Sequence, residues 1–240
     1  MINQISLSVC RDIRRTPLVN HMSSRDKNAG RVRELVIGQA RFGRRCYFCD
    51  FAFGTSDVFE VHHLDGDHTN DATENMVPVC EMCHAPFHLE LVGRKWPKRP
   101  GAIIFLPELS QPELNNLLQA IFYSMAVQVT GGQDAATQAP IAQPHTVYRR
   151  LLDRRAQVEQ DQSGTVVRPG FSEPVNLSLM LLSPNFTDEQ YAARDQLLAG
   201  CRYLPDPEYF VAKAGQWNAH GAAFSRLDLA AWPGVAGVSA

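Results

Sequence analysis

Residues 46–88 read CYFCDFAFGTSDVFEVHHLDGDHTNDATENMVPVCEMCHAPFH, and they constrain every other part of the chain. The stretch opens with one C-x-x-C pair, Cys46 and Cys49, and holds a second, Cys80 and Cys83. Each pair places two thiolates on one tight turn, and two such turns supply the four ligands of a tetrahedral zinc ion. Zinc bound in this way stabilises a segment too short to bury a core of its own. The spacing predicts a structural zinc site that four protein ligands close, so this ion should not be catalytic.

Reduced thiols without metal, or a redox pair, are the alternatives for the same four cysteines. The two remaining cysteines, Cys10 and Cys201, stand alone, and we interpret them as small apolar packing residues. Paired cysteines with few others are typical of metal binding in a reducing compartment.

Composition limits the classes of function. The chain has 240 residues, 45% of them apolar, and a formal net charge of -2, so it is not a basic nucleic-acid binder as a whole. Residues 1–45, however, hold ten lysines and arginines against three acidic residues. Such a run can face phosphates, or it can be a solvated surface or a contact for an acidic protein.

The sequence also predicts a cytoplasmic protein that does not insert into a membrane. No stretch approaches the roughly 18 apolar residues that a transmembrane helix needs. The first residues lack the basic region and the long apolar core of a secretory signal.

The hydrophobic pattern predicts an α+β fold. We expect an edge strand at 2–10, a short helix at 31–42 and a buried strand at 102–106. A capping box at Ser110 and Glu113 starts the clearest helix. Its apolar stripe has helical spacing and consists of Leu114, Leu117, Leu118, Ile121, Phe122 and Met125.

Further helices make the second half of the chain mostly helical. We expect one around 148–156, one at 174–182, one from Thr187 to about 203–205 and one from Asp206 onward. The predicted division is a zinc-binding domain with an N-terminal strand and helix at 1–106, and a helical region at 107–220. The helical region has a linker near 130–144, and a disordered tail follows at 221–240.

Five histidines lie between and after the cysteine pairs, and four of them form two pairs. His62 and His63 are neighbours on an expected strand, where successive side chains point to opposite faces. One can therefore hold a metal ion while the other meets water. His84 and His88 are at i and i+4, so on a helix they share one face and can bind one ion.

This order of histidines resembles the HNH family, in which a strand ends in His-His, a loop and an asparagine follow, and a helix carries further histidines. The resemblance implies a ββα-metal finger. It implies that His63 is the general base for water and that Asn75 orients the loop carrying the base. It also implies that His62, His84 and His88 hold a second divalent ion, with Mg²⁺, Mn²⁺ and Ni²⁺ as candidates.

Two interpretations of the histidines stay open. In one, a bound ion stabilises charge on a DNA phosphodiester while His63 takes a proton from water. In the other, the histidines are relics that only pack the finger. His68 lies outside the pattern, and the sequence assigns it no role.

Three segments resemble the IcmJ (DotN) family of type IVB secretion systems. They are residues 105–115 (FLPELSQPELN), residues 64–67 (LDGD) with Thr69 and Asn70, and residues 202–205 (RYLP) ahead of Trp217. The resemblance implies a cytoplasmic adaptor of a coupling complex, held at the inner-membrane face by a partner. That partner is a coupling ATPase of the DotL type, bound largely through its C-terminal extension.

The chain differs from the IcmJ (DotN) family in one feature. The better-known members lack the paired histidines, whereas this chain keeps His62 and His63 together with Asn75, His84 and His88. A metal-dependent HNH endonuclease therefore remains the alternative to the adaptor. A zinc-finger DNA-binding module without catalysis is a third hypothesis, and steep salt dependence of DNA binding would be its mark.

Overall fold

The computed structural model describes residues 4–11, 34–53, 59–130, 141–214 and 217, which together form an α+β protein. Two antiparallel two-stranded sheets lie in this part of the chain, and helices make up most of the described residues after 107. The predicted α+β class is confirmed. The more specific resemblance to an HNH finger stays a prediction.

The first sheet pairs β1 (Glu60–His63) with β2 (Met76–Val79), and its register places His63 opposite Met76. All four residues of β2 are buried, as are the last three of β1. So short a hairpin is only marginally stable alone in water. Burial against the rest of the protein is therefore what holds it.

Helical turns follow the hairpin directly. They are α1 (Glu81–His84), a 3-10 helix (Ala85–His88) and α2 (Leu89–Lys95). Leu89 and Val92 of α2 are buried. The order of elements in this unit is therefore strand, strand, helix, and the histidines lie at the junction of hairpin and helices.

The second sheet pairs β3 (Ala102–Phe105) with β4 (Cys201–Leu204) in antiparallel register. Ile103 and Ile104 are fully buried, which confirms the buried strand predicted at 102–106. The sheet joins residues almost a hundred positions apart, so it closes the helical half of the chain onto the first half.

The helix predicted to run from Thr187 to 203–205 ends earlier than expected. Its helical residues stop at Leu197, and Gly200 has a φ of 78°. A Cβ on Gly200 would lie 2.6 Å from the Phe105 ring, so this turn needs glycine for both conformation and space. The predicted helical end is wrong because the chain after this turn pairs with β3 as a strand.

The helical half begins with α3 (Gln111–Thr130). The predicted capping box is present, since the Ser110 N–H donates to the Glu113 carboxylate at 2.7 Å and the Glu113 N–H donates to the Ser110 hydroxyl at 3.4 Å. The predicted apolar stripe is buried throughout: Leu114, Leu117, Leu118, Ile121, Phe122 and Met125. This helix is therefore the central element of the core.

Shorter helices follow α3 along the chain. They are α4 (Pro144–Asp153), α5 (Ala156–Glu159), α6 (Pro174–Leu182), α7 (Asp188–Ala192), α8 (Arg194–Leu197) and α9 (Pro207–Ala214). The helices predicted around 148–156, at 174–182 and from Asp206 are confirmed by α4, α6 and α9. A full capping box of Thr187 and Gln190 starts α7, as predicted. Helix α3 packs against α4 and α9, and α2 packs against α6.

The N-terminal residues differ from the prediction. The described part, 4–11, forms no strand of a sheet, so the edge strand expected at 2–10 is wrong for those residues. Its alternate apolar side chains are nevertheless buried: Ile5, Leu7 and Val9. The Ser8 N–H donates to the Pro86 carbonyl at 2.8 Å, and the Leu89 N–H donates to the Ser8 carbonyl at 3.1 Å. The backbone N–H and carbonyl of Ser8 are therefore hydrogen-bonded to the helical turns around Pro86 and Leu89, and not to a strand.

The short helix predicted at 31–42 is present in the residues described. Residues 34–37 are helical, and a 3-10 helix, Ala40–Phe42, leads to Gly43 at a φ of 53°. Val36 is fully buried, so this segment packs against the core before the first cysteine pair.

The predicted division at residue 106 stays a prediction. Strand β3 precedes it and β4 follows it, so both parts contribute to one sheet and to one continuous hydrophobic core. Residues 131–140 of the predicted linker and the predicted tail, 221–240, lie outside the described residues. Among the helices that are described, none combines the length and the hydrophobicity needed to cross a membrane.

Candidate metal centre

The structure brings the four predicted zinc ligands together: Cys46, Cys49, Cys80 and Cys83. All are buried, and their sulfur atoms lie within 4.8 Å of one another. Sγ of Cys49 and Sγ of Cys80 are 3.7 Å apart. Four sulfurs at ~2.3 Å from a tetrahedral zinc ion would be about 3.8 Å apart. The set is therefore compatible with zinc, and ligation by these residues stays a prediction.

The thiols affect one another's ionisation. Burial alone raises the pKa of Cys46, but hydrogen bonds from the other three thiols outweigh it and hold the pKa well below its ordinary value. A hydrogen bond with Cys46 raises the pKa of Cys80, and burial raises that of Cys83. Ionisation of Cys46 is thus favoured, while ionisation of Cys80 and Cys83 is disfavoured. A cation is needed before all can ionise together.

Two side chains of α3 donate hydrogen bonds to this cluster. Asn115 Nδ2 donates to Cys83 Sγ at 3.2 Å, and Gln119 Nε2 donates to Cys49 Sγ at 3.4 Å. Both amides are completely buried. Amide donors stabilise thiolate charge, and contacts of this kind typically tune a metal site.

A third amide extends the row along α3. Gln111 Nε2 donates to Asn115 Oδ1 at 3.0 Å and to the Tyr203 carbonyl at 2.8 Å. The Tyr203 N–H donates back to Gln111 Oε1 at 2.8 Å. The amide row of Gln111, Asn115 and Gln119 therefore links β4 to the cysteine cluster through buried hydrogen bonds.

The amide row was not predicted from the sequence. Its members recur at intervals of four, so they share one face of α3. The signal was available, because polar residues at that interval within an otherwise buried helix need partners. The leucine pattern alone indicated only a core helix.

The predicted second-metal ligands also converge. The candidate ligand atoms of His62, His84 and His88 lie within 4.8 Å of one another, and all three side chains are buried. Nδ1 of His62 is buried without a hydrogen-bond partner among the described residues. Burial lowers the pKa of His62 well below its ordinary value, and His84 lowers it further. The neutral form, which ligates metals, is therefore favoured.

Carboxylates fix the orientation of two of these rings. Nδ1 of His84 is 2.8 Å from Glu60 Oε2, and Nδ1 of His88 is 3.2 Å from Glu90 Oε1. An ionised carboxylate only accepts hydrogen bonds, so each Nδ1 is the donor and each Nε2 carries the lone pair. Such carboxylate–histidine pairs are usual around metal ions. Neither glutamate was predicted from the sequence.

A lysine keeps one of these carboxylates ionised. Burial alone raises the pKa of Glu60, but the hydrogen bond from His84 and the charge of Lys95 outweigh it, so the pKa is well below its ordinary value. Lys95 Nζ lies 2.5 Å from Glu60 and 3.0 Å from Glu81. The ring orientation of His84 is therefore supported by an ion-pair network.

His63, the predicted base, and the adjacent His62 contact different side chains. The His62 ring stacks on Phe87 at 4.1 Å between centroids. His63 Nε2 is instead 3.2 Å from Asp71 Oδ1. Donation to Asp71 leaves Nδ1 of His63 as the atom with the lone pair, and no described residue is hydrogen-bonded to it. The catalytic role of His63 stays a prediction.

Asn75 ties together the loop that follows His63. Its side chain donates to Asp65 Oδ1 and to the Asn70 carbonyl, each at 2.9 Å, and accepts from the Asp65 N–H at 3.0 Å. The Leu64 N–H donates to the Asn75 carbonyl at 2.9 Å. These contacts are those of a residue that orients the loop, and any part in catalysis stays a prediction.

His68, for which no role was predicted, lies beside the other histidines. Its ring is buried, and its centroid is 5.1 Å from that of His63 and 5.1 Å from that of His88. It thus connects the predicted base to a predicted ligand. A single histidine in a polar loop gave no signal of this contact.

A cleft of about 310 Å³ opens beside the histidines. Its walls include Glu60, His84, His88, Arg94, Lys95 and Trp96. The carboxylate of Glu60 lies among its basic side chains, and Lys95 pairs with Glu60 and with Glu81.

A known protein is similar to this chain over most of its length. It is the type 4 apparatus protein DotN of Legionella pneumophila subsp. pneumophila (strain Philadelphia 1), which is 29% identical over 182 residues. These residues cover 75% of this chain and 77% of DotN. No protein-family model matches the chain. The similarity supports the resemblance to the IcmJ (DotN) family and does not bear on the HNH resemblance.

Cys46→Ser should release the predicted zinc ion and unfold the finger, because metal binding supplies much of the folding free energy of such a segment. We expect loss of zinc by mass spectrometry, loss of the near-UV circular dichroism signal and a lower Tm. Cys201→Ser is the control, since Cys201 lies outside the cluster. An unchanged Tm and near-UV signal in Cys46→Ser would refute the structural zinc.

Gln119→Glu should weaken zinc binding without removing a ligand. The new carboxylate would lose the donor to Cys49 and add negative charge beside the thiolates, and such changes reduce metal affinity about 10- to 100-fold. Zinc transfer to a chromogenic chelator measures the effect. The matched control is Gln128→Glu, an exposed position on the same helix. Equal transfer rates for the two variants would show that the amide row does not act on the metal.

Proposed function

We propose that this protein is a component of a type IV secretion apparatus and serves as an adaptor in its coupling complex. The observation that carries the proposal is the similarity to the type 4 apparatus protein DotN, which extends over three quarters of both chains. Similarity confined to a zinc finger would not extend so far. The family resemblance supplies the finer statement, that the partner is a coupling ATPase of the DotL type. Such an adaptor would lie at the cytoplasmic face of the inner membrane through this partner.

In this proposal the zinc ion is structural, and Cys46, Cys49, Cys80 and Cys83 hold it. Zinc supplies a fixed tetrahedral cross-link between two turns of the chain. The amide row then positions α3 against the finger. The unit of β1, β2 and the following helices is an HNH-like finger that serves as a scaffold, and residues 107–220 form the helical region attached to it.

The adaptor proposal predicts direct binding to the C-terminal extension of the coupling ATPase from the same secretion locus. The full chain, loaded with zinc, should form a complex that survives size-exclusion chromatography at micromolar concentrations. A scrambled extension of the same composition should not bind. Absence of a complex between zinc-loaded protein and the authentic extension at these concentrations would rule the adaptor function out.

A second function, metal-dependent endonuclease, is favoured by one specific observation. The chain keeps a complete histidine set, and its predicted ligands His62, His84 and His88 converge. A divalent ion bound there would stabilise charge on a phosphodiester. His63 would take a proton from water at Nδ1, because its Nε2 faces Asp71. Asn75 would hold the loop that follows His63.

Plasmid nicking tests the second function. If it is correct, the wild-type protein with Mg²⁺, Mn²⁺ or Ni²⁺ should nick supercoiled DNA, and His63→Ala should not, although it retains zinc. His145→Ala is the matched control, because His145 is exposed on α4, outside the cluster. Equal nicking by wild type and His63→Ala would assign the activity to a contaminant. No nicking with any of the ions would leave the histidines without a catalytic role.

A further inference from the structure

A second cavity is lined mainly by residues of the helical half of the chain, from 157 to 201. It has a volume of about 450 Å³ and lies where β3 and β4 meet α6 and α8. We call it the arginine groove. Its apolar wall includes Phe105, Phe171, Met180, Phe186, Leu197 and Leu198. No metal-binding group of the described residues lies in it, so its chemistry differs from that of the candidate metal centre.

The wall of the groove is apolar but incompletely covered. Phe171, Met180 and Phe186 pack against the hydrophobic core with one side and remain partly accessible on the other. Leu197 is 61% exposed. Single exposed leucines are ordinary, but a leucine beside a concave aromatic wall extends an apolar surface of the kind that marks a binding site.

Two arginines line the same groove, Arg168 and Arg194. Arg168 donates to the carbonyls of Val158 and Gln160 at 2.9 and 2.7 Å. Arg194 donates to the Tyr191 carbonyl at 3.1 Å and stacks on the Tyr191 ring at 4.6 Å. Backbone carbonyls therefore hold both guanidinium groups, the Tyr191 ring also holds that of Arg194, and all of these partners are uncharged.

Neither arginine forms an ion pair with an acidic residue in the part of the chain that is described. The contrast with Arg154 is direct, since Arg154 makes a two-pronged pair with Glu108 at 2.6 and 2.7 Å. The hydrogen bond from Ser163 is the main cause that lowers the pKa of Asp161, and the charge of Arg168 adds to it, but the Asp161 carboxylate forms no ion pair with Arg168. The groove thus presents two positive charges beside an apolar wall.

We propose that the arginine groove is a docking site for a segment of a protein partner that carries a bulky apolar side chain next to a carboxylate. The apolar side chain would cover the aromatic wall and Leu197, and the carboxylate would pair with Arg168 or Arg194. Guanidinium groups match carboxylates through paired hydrogen bonds. This inference rests on the proposed adaptor function, because it names the surface through which the adaptor would hold its partner.

The test has two arms that use the full zinc-loaded chain. In the first arm, a phage-displayed library of random 12-residue peptides is selected on the wild-type protein. In the second, the C-terminal extension of the coupling ATPase is titrated by fluorescence anisotropy. Leu197→Asp and Arg194→Glu alter the groove. Leu179→Asp and Arg149→Glu are the matched controls. Leu179 is 62% exposed, and neither control residue lines the groove.

We expect selected peptides to share an apolar residue beside Asp or Glu, and the groove variants to bind both probes at least about tenfold more weakly. The controls should bind as the wild type does. Leu197→Asp should keep the wild-type Tm, because Leu197 is largely exposed. Arg194→Glu also loses its contacts with Tyr191, so Leu197→Asp decides the test if the Tm of Arg194→Glu falls. Unchanged affinity of Leu197→Asp would contradict the proposal.

The arms separate the groove from the adaptor function. If the extension binds wild type and groove variants equally, the adaptor function stands and the groove proposal is wrong. If the extension fails to bind but the acidic–apolar peptides bind only an intact groove, the groove stands and the adaptor function fails. Peptides without the acidic–apolar pattern, or an equal loss in Leu179→Asp, would overturn the groove. So would self-association of the wild type that Leu197→Asp abolishes, because the occupant would then be a second copy.

Discussion

Four buried sulfur atoms within 4.8 Å of one another are the constraint on which the rest of this structure depends. Four thiolates carry more negative charge than one zinc ion neutralises, so the site also needs hydrogen-bond donors. The protein supplies them from three directions. The Cys80 N–H donates to Cys46, Asn115 donates to Cys83 and Gln119 donates to Cys49. The finger therefore cannot be considered apart from α3, whose side chains complete the electrostatics of the site.

The same constraint places the histidines. Cys83 and His84 are consecutive, and their side chains serve different sites: the sulfur meets Asn115, and the imidazole meets Glu60. Any displacement of α1 would move both. Through Gln111, the amide row also reaches β4, so the cysteine cluster is mechanically connected to the sheet beside the arginine groove. The cysteine cluster, the core helix α3 and the sheet beside the proposed docking surface are thus linked by buried hydrogen bonds.

The parts that the sequence could predict are those with local signals. Cysteine spacing, the capping boxes at Ser110 and Thr187, and the stripe on α3 all follow from short-range periodicity, and the structure contains each. The strand β4 was missed because its partner lies almost a hundred residues earlier, and only that pairing makes 201–204 a strand. Glu60, Glu90 and His68 were missed for the same reason. Their roles come from contacts across elements, and no spacing rule records them.

The carboxylates around the histidines bear on whether the cluster is a relic. Packing alone requires no particular ring nitrogen to face inward, yet Glu60 and Glu90 hold His84 and His88 by Nδ1, which directs both Nε2 atoms away from those carboxylates. This arrangement is suited to binding an ion. In an adaptor, such an ion would join β1 to the following helices, just as the predicted zinc ion would join the two turns. Ion binding therefore does not separate the two functions. The separating feature is whether water reaches Nδ1 of His63. This atom is buried, whereas Asp71, which lies 3.2 Å from Nε2 of the same ring, is 70% exposed.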